Sequence, residues 1–332
     1  MPNFDGGHYF LTVLAPISDR ILKEGDCPSR ACVQILRETL ACLPTARQSP
    51  SSEAGDLNSP FARNRRTHFA RFAVLEDVVY NGRDQTDALK TALTDANLSI
   101  PQPVDHLNTP YLLFAADFDA ASGDQAELRG YLTELWTDME QELRAVFRHC
   151  IGFETVDDAG AFADYIQRCQ VETTMPFNDY WAGIPPLQDL NQVALLAPIA
   201  LPAAVALLCG AFWLLDNLGL PLGDRLVAGF GADGGWPWGW LAVAAGAVTG
   251  LIGYGLYRFI LHRGSQPLPS APHSDLPSVL KALYLQQQLT RFAIEQQGAD
   301  AAALQRAFGE FLARHRPDDL EHATQAPGVI RS

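Results

Sequence analysis

The sequence predicts an α+β protein interrupted near its middle by an apolar helical hairpin. Three observations carry this expectation. Three stretches in the N-terminal part have strand character, an apolar repeat of helical spacing runs from Gln125 to Arg148, and two long stretches, Val193 to Leu215 and Trp236 to Tyr257, contain no charged residue. The expected divisions are a soluble domain over 1–185, a transmembrane hairpin over 191–261 and a C-terminal helical hairpin over 276–316.

The strands come first. His8 to Ala15 places Tyr9, Leu11 and Val13 on one face and Phe10, Thr12 and Leu14 on the other. Apolar residues on both faces suit an inner strand. Ser29 is placed to cap a helix whose apolar stripe is Cys32, Val33, Leu36, Leu40 and Leu43, and Pro44 ends it. A polar Ser/Pro/Arg loop of about twenty residues follows. Strand character resumes over Thr67 to Leu75 and again over Tyr111 to Phe118, with a short helix expected between them near Asp84 to Ala96.

The long amphipathic helix repeats Leu128, Leu132, Leu135, Met139, Leu143 and Val146 at intervals of three or four residues. The turn Cys150-Ile151-Gly152 leads into an expected strand at Phe153 to Val156, and a third helix over Asp158 to Cys169 turns Phe162, Tyr165 and Ile166 inward. The order strand, helix, strand, strand, helix, strand is the ferredoxin-like split βαβ arrangement. The stretch from Met175 to Trp181, followed by Pro185-Pro186, is expected to be a hinge.

Both central apolar stretches exceed the roughly 20 residues that cross a bilayer. Pro198 and Pro202, unfavourable in a soluble helix, are tolerated in a membrane and predict a kink. Trp236, Trp238 and Trp240 open the second span as an interfacial belt, and Tyr254, Tyr257 and Arg258 close it. Gly246 and Gly250 share a helix face, which suits either packing on the first span or a second copy. Arg258, His262 and Arg263 follow the second span, and the N-terminus lacks the basic and apolar regions of a signal peptide. These features predict a multi-pass protein of a bacterial cytoplasmic membrane with both termini in the cytosol.

A formal charge of −14 argues against nucleic acid as a partner, because phosphate binding needs concentrated Lys and Arg. The one basic cluster, Arg63, Arg65, Arg66 and Arg71, is offset by Glu76, Asp77, Asp117 and Asp119 and suits either a solvated or ion-paired rim or a site for an anionic ligand. Six cysteines without C-x-x-C spacing read as reduced thiols and offer no zinc motif.

The segments Thr67-His68-Phe69-Ala70-Arg71-Phe72, Leu112-Leu113-Phe114 with Asp117-Phe118-Asp119, and His149-Cys150-Ile151-Gly152-Phe153 together resemble an uncharacterised bacterial family of ferredoxin-like domains of the dimeric α/β-barrel type. The resemblance covers residues 5–170 outside the loops. It implies a homodimer formed by pairing sheets. The wider fold group includes dye-decolourising peroxidases, chlorite dismutases and small monooxygenases beside non-catalytic sensors, so haem enters as a cofactor to weigh. The Gly-x-x-Asp-Gly haem motif of the peroxidases finds no match in the soluble domain.

The candidate ligand-binding residues are His68, Arg71, Asp117, Asp119 and His149. His68 beside Arg71 suits either a haem-side histidine or a hydrogen-bonded structural residue. Arg71 with Asp117 and Asp119 suits either a cross-strand ion pair or an anion site. His149 in the last helical turn complements the helix dipole. No phosphate-loop, nucleophile-elbow or His-Glu-x-x-His pattern is present.

After a Pro/Ser linker from Gly264 to Ser274, two further helices, Leu276 to Gln297 and Asp300 to His315, carry apolar stripes that need a partner surface, either the N-terminal domain or another copy. The functional expectation is a membrane-anchored, non-catalytic cytosolic module that binds a small ligand or a partner enzyme. The rival expectation is a membrane-bound haem or other redox enzyme acting on a lipid-soluble substrate.

Overall fold

The structure is a computed structural model. It describes residues 3–22, 29–47, 58–78, 106–173, 181, 183, 190–220, 222–228 and 237–329. The helix expected near Asp84 to Ala96 and most of the expected hinge lie outside the described residues. The chain forms two compact units, one of residues 1–183 with 268–332 and one of 184–267.

The first unit is built on a four-stranded antiparallel sheet. Its strands are β1 (Phe4–Asp5), β2 (His8–Pro16), β5 (Thr67–Leu75) and β6 (Tyr111–Asp119), in the order β1-β2-β6-β5. Both β2 and β5 pair antiparallel with β6, so they run parallel to each other with β6 between them. The β1–β2 hairpin, not foreseen from the sequence, turns on Gly6 and Gly7, whose φ values of 57° and 86° suit a turn with two left-handed residues.

One sheet face carries the core. Tyr9, Leu11, Val13 and Ala15 of β2 and Leu112, Phe114, Ala116 and Phe118 of β6 are buried with the stripe of α2 (Gln125–Phe147). All six residues expected on that stripe are buried. The Phe118 ring stacks on Tyr131 with centroids 3.6 Å apart. Met139 leaves helical geometry at φ −149°, and the preceding carbonyl, that of Asp138, instead accepts a hydrogen bond from Arg63 at 3.0 Å. An outside side chain entering the helical ladder is an established cause of a kink.

Two local expectations are corrected. Ser29 does not cap the first helix, because β3 (Ile21–Leu22) and β4 (Arg30–Ala31) form a short ribbon and α1 (Cys32–Cys42) starts directly from it. Phe153–Thr155 is a short 3-10 turn, not a strand. The left-handed Gly152, at φ 82°, bends the chain there, and the bridge to β2 is made later, between Val13 and Gln170. Between them α3 (Ala159–Cys169) is capped by Asp158, which accepts from the Ala161 N–H.

The second unit contains α4 (Gln192–Asn217), α5 (Leu222–Ala228) and α6 (Trp238–Gly264). Asn191 caps α4 by accepting from the N–H groups of Val193 and Ala194, and the helix continues through Pro198 and Pro202 as one element. Both α4 and α6 are long and apolar enough to cross a membrane. Their apolar side chains point outward: Leu207 is 76% exposed and Trp240 78%. A core helix of a soluble protein buries such residues. The two helices meet through the ring pair Phe212–Trp238 and through Gly239, which lies against Trp213. A Cβ on Gly246 or Gly250 would meet nothing within 4 Å, so these glycines do not serve the contact with α4.

The chain then returns to the first unit. Asp275 caps α7 (Leu276–Glu295) and Asp300 caps α8 (Ala301–His315), where Phe292, Phe308 and Phe311 pack together. Lys281 is 2% exposed and donates to the carbonyls of His315 and Ala323, tying the hairpin to the tail. The tail pairs with the N-terminal part through a bridge between Val329 and Arg47.

Phe118 and Phe69 give a clean contrast, being fully buried and 65% exposed respectively. Phe118→Ala is expected to cost about 3–5 kcal/mol and Phe69→Ala no more than about 0.5 kcal/mol, read as thermal unfolding of the detergent-solubilised chain.

Candidate functional site

The sheet face opposite the core ends in a polar cluster. Strand alternation sends Phe118 and Ala116 into the core and therefore Asp117 and Asp119 the other way. His8 sits directly across from Asp119 in the β2–β6 register. On the other side of β6, a β-bulge between Thr67 and Phe69 sets two residues of β5 against one of β6, and His68 turns towards Asp119.

The result is a compact group. His68 Nε2 lies 2.9 Å from Asp119 Oδ1, and His8 Nδ1 lies 3.6 Å from Asp117 Oδ1 and 3.9 Å from Asp119 Oδ1. The two imidazoles meet edge to face with centroids 4.8 Å apart. His8 is fully buried, and only 1% of the His68 side chain is exposed. Burial, with His68 alongside, pushes the His8 pKa down to about 4 against the opposing pull of Asp119. His8 is therefore neutral near pH 7, with one nitrogen able to accept or to coordinate.

A strap, residues 268–276, closes this end of the sheet. Leu268 donates its N–H to Asp5 Oδ1 at 2.6 Å and accepts from the Gly6 N–H at 3.2 Å. A Cβ on Gly7 would lie 2.7 Å from the Ser270 Cβ, so the strap needs glycine there for space as well as for φ. The Leu276 N–H, at the start of α7, donates to Asp119 Oδ2 at 2.8 Å. Ala271, Ser274 and Leu276 are all buried.

Arg66 anchors the same strand end from the core side. It donates from Nε and Nη2 to the Asp119 carbonyl, pairs with Glu127, and lies over the Phe118 and Tyr131 rings. Arg63, Arg65 and Arg66 of the basic cluster all reach glutamates.

Of the residues singled out from the sequence, the structure brings His68, Asp117 and Asp119 together. Arg71 stands across from Ala115, while Asp117 faces Phe69, so the cross-strand ion pair weighed from the sequence is not the arrangement here. His149 lies elsewhere: its carbonyl accepts from Ser18 beyond the far end of β2, a strand length of about 27 Å from His8. His8 was missed. Its only signal was a histidine opening a strand, which is meaningless until the β2–β6 register is known.

Beside the cluster runs a groove of about 580 Å³ between β5 and α7. Its lining includes His68, Arg71, Phe72, Leu280, Leu283 and Gln325, an apolar wall with a few polar groups. The size is that of small-molecule sites. Compared with known proteins, the chain matches no family model, no curated protein and no solved structure.

Burial favours the protonated form of the thiols near the other end of the sheet. Burial pushes the Cys150 thiol up to about 12, with Cys169 reinforcing it, and burial raises Cys169 as well. At pH 8 the native protein should therefore leave Cys150 unmodified by iodoacetamide while the exposed Cys42 reacts. Peptide mapping by mass spectrometry checks this, and denaturation should make Cys150 react.

Proposed function

We propose that the chain is a membrane-anchored, non-catalytic module whose α+β unit binds a small ligand with an apolar body and an anionic or polar head. The groove between β5 and α7 carries this reading, because its lining joins the apolar Val279, Leu280 and Leu283 to Arg71, whose guanidinium is the proposed cationic contact. The anchor is the pair α4 and α6, supported by their length and their outward apolar side chains. The bilayer is that of a bacterial cytoplasmic membrane, crossed twice, with both termini in the cytosol.

The same reading takes the α+β unit as ferredoxin-like and of the dimeric barrel type. Its support is the crossover of β2 and β5 about β6, together with the bridge from Val13 to Gln170 at the position of a fourth strand. A homodimer formed by pairing sheets belongs to the same reading.

The test has two parts. The chain should stay with membranes through alkaline carbonate extraction, and release into the supernatant would overturn the anchor. Organic extraction of detergent-purified protein, followed by mass spectrometry, should yield a small amphipathic molecule whose occupancy falls about tenfold in Arg71→Ala, the cost of one charge-assisted contact. A stoichiometric Soret band lost in His68→Ala would replace this reading with the haem enzyme.

A further inference from the structure

We infer that His8, His68 and Asp119 form a binding site for a first-row divalent transition-metal ion, with Asp117 within reach as a further oxygen donor. The inference is independent of the ligand groove. One ligand atom from each of His8, His68 and Asp119 lies within 4.8 Å of the others. Ligands about 2.0–2.1 Å from a tetrahedral ion stand about 3.3 Å apart. The separations of 2.9 Å for His68 and 3.9 Å for His8 from the same Asp119 oxygen bracket that value. The group as a whole spans up to 4.8 Å, so seating an ion requires side-chain rotations that draw the ligand atoms together.

Three features of the fold argue for an ion over a plain hydrogen-bond network. The first is the bulge, which breaks the alternation of β5 at the one residue whose imidazole then meets Asp119. Bulges concentrate where a strand must re-aim a side chain beside a functional site. The second is the support given to the carboxylate: while Oδ1 faces the imidazoles, Oδ2 is held by the Leu276 N–H. Metal-ligating carboxylates are held by such outer hydrogen bonds. The third is charge. Asp117 and Asp119 leave β6 on one face, and Asp117 is only 9% exposed. Both carboxylates lie within 4 Å of His8 Nδ1, and a divalent cation there balances their like charges.

The donor set names the class. Two imidazole nitrogens and a carboxylate, without thiolate, suit zinc, iron, cobalt or nickel better than the all-oxygen sites of magnesium and calcium.

For the test, the full chain is purified in detergent without a histidine tag, stripped with EDTA, and titrated separately with Zn²⁺ and with Co²⁺. One equivalent of each should bind per chain. The cobalt complex should lack a thiolate charge-transfer band, and X-ray absorption at the zinc edge should show two imidazoles. His68→Gln and Asp119→Asn should each weaken binding at least ~10-fold, since loss of an outer-shell partner alone costs that much. Circular dichroism confirms that each variant is folded, and should either fail to fold, the wild-type spectra decide. The inference is overturned by wild-type protein that binds no stoichiometric ion, by thiolate or single-imidazole ligation, or by unchanged affinity in folded His68→Gln.

Discussion

Asp119 accepts hydrogen bonds on both its side chain and its carbonyl, and the two sets come from opposite sides of the sheet. Its carboxylate takes the N–H of Leu276 and faces His68, while its carbonyl takes the Arg66 guanidinium. The last residue of β6 thereby fixes the start of α7, the bulged end of β5 and the turn into α2. Hydrogen bonds involving a charged partner contribute about 1.5–3 kcal/mol, and a carboxylate at a helix N-terminus adds about 0.3–1 kcal/mol. Without Asp119, the Leu276 N–H at the buried start of α7 would lose its acceptor.

The two sheet faces meet this constraint differently. The core face is apolar and aromatic, and it owes its stability to burial of residues such as Phe114, Phe118 and Leu132. The opposite face ends in imidazoles and carboxylates closed over by a strap. Polar networks in a low-dielectric setting gain strength when complete and are costly when broken. A buried cluster of this kind is weak support for stability and better suited to binding or to fixing one conformation. Closure by a strap that lies after the two long apolar helices in sequence has a further consequence. The α+β unit is complete only once the C-terminal segment has returned to it, so residues 1–183 alone lack the strap's hydrogen bonds to Asp5, Gly6 and Asp119.

Periodicity made the main elements legible. The α2 stripe, the nine-residue β5 and both apolar helices follow from local patterns that need no knowledge of the fold. The site was half legible. Asp117 and Asp119 stand out as two acids in an otherwise apolar strand, and His68 as a histidine beside an arginine. Which residues face them depends on register, which local pattern does not supply. Thus Arg71 looked like the partner of Asp117 although Ala115 stands opposite it, and Arg66, outside the strand, proved to be the arginine that holds Asp119. The linker after α6 read as a Pro/Ser spacer because backbone N–H groups, which do its work at Leu268 and Leu276, leave no trace in side-chain composition.

Register also explains how the cluster keeps its geometry. A slip of one residue between β2 and β6 would turn every side chain of one strand to the wrong face, moving His8 into the core and a core residue such as Tyr9 out of it. That slip is opposed by the stacked rings of Tyr9 and Phe118 and by the whole buried row behind them. The positions of His8, Asp117 and Asp119 are therefore set by the apolar core. His68 is the exception. Regular alternation from the buried Thr67 would send His68 to the Asp117 face and Phe69 to the core, whereas with the bulge Phe69 pairs with Asp117 and His68 reaches Asp119. The strand gives up one ladder position beside the imidazole that meets Asp119, and the shift turns Phe69 outward. Such a disruption is hard to account for by packing, because Phe69 gains no burial from it.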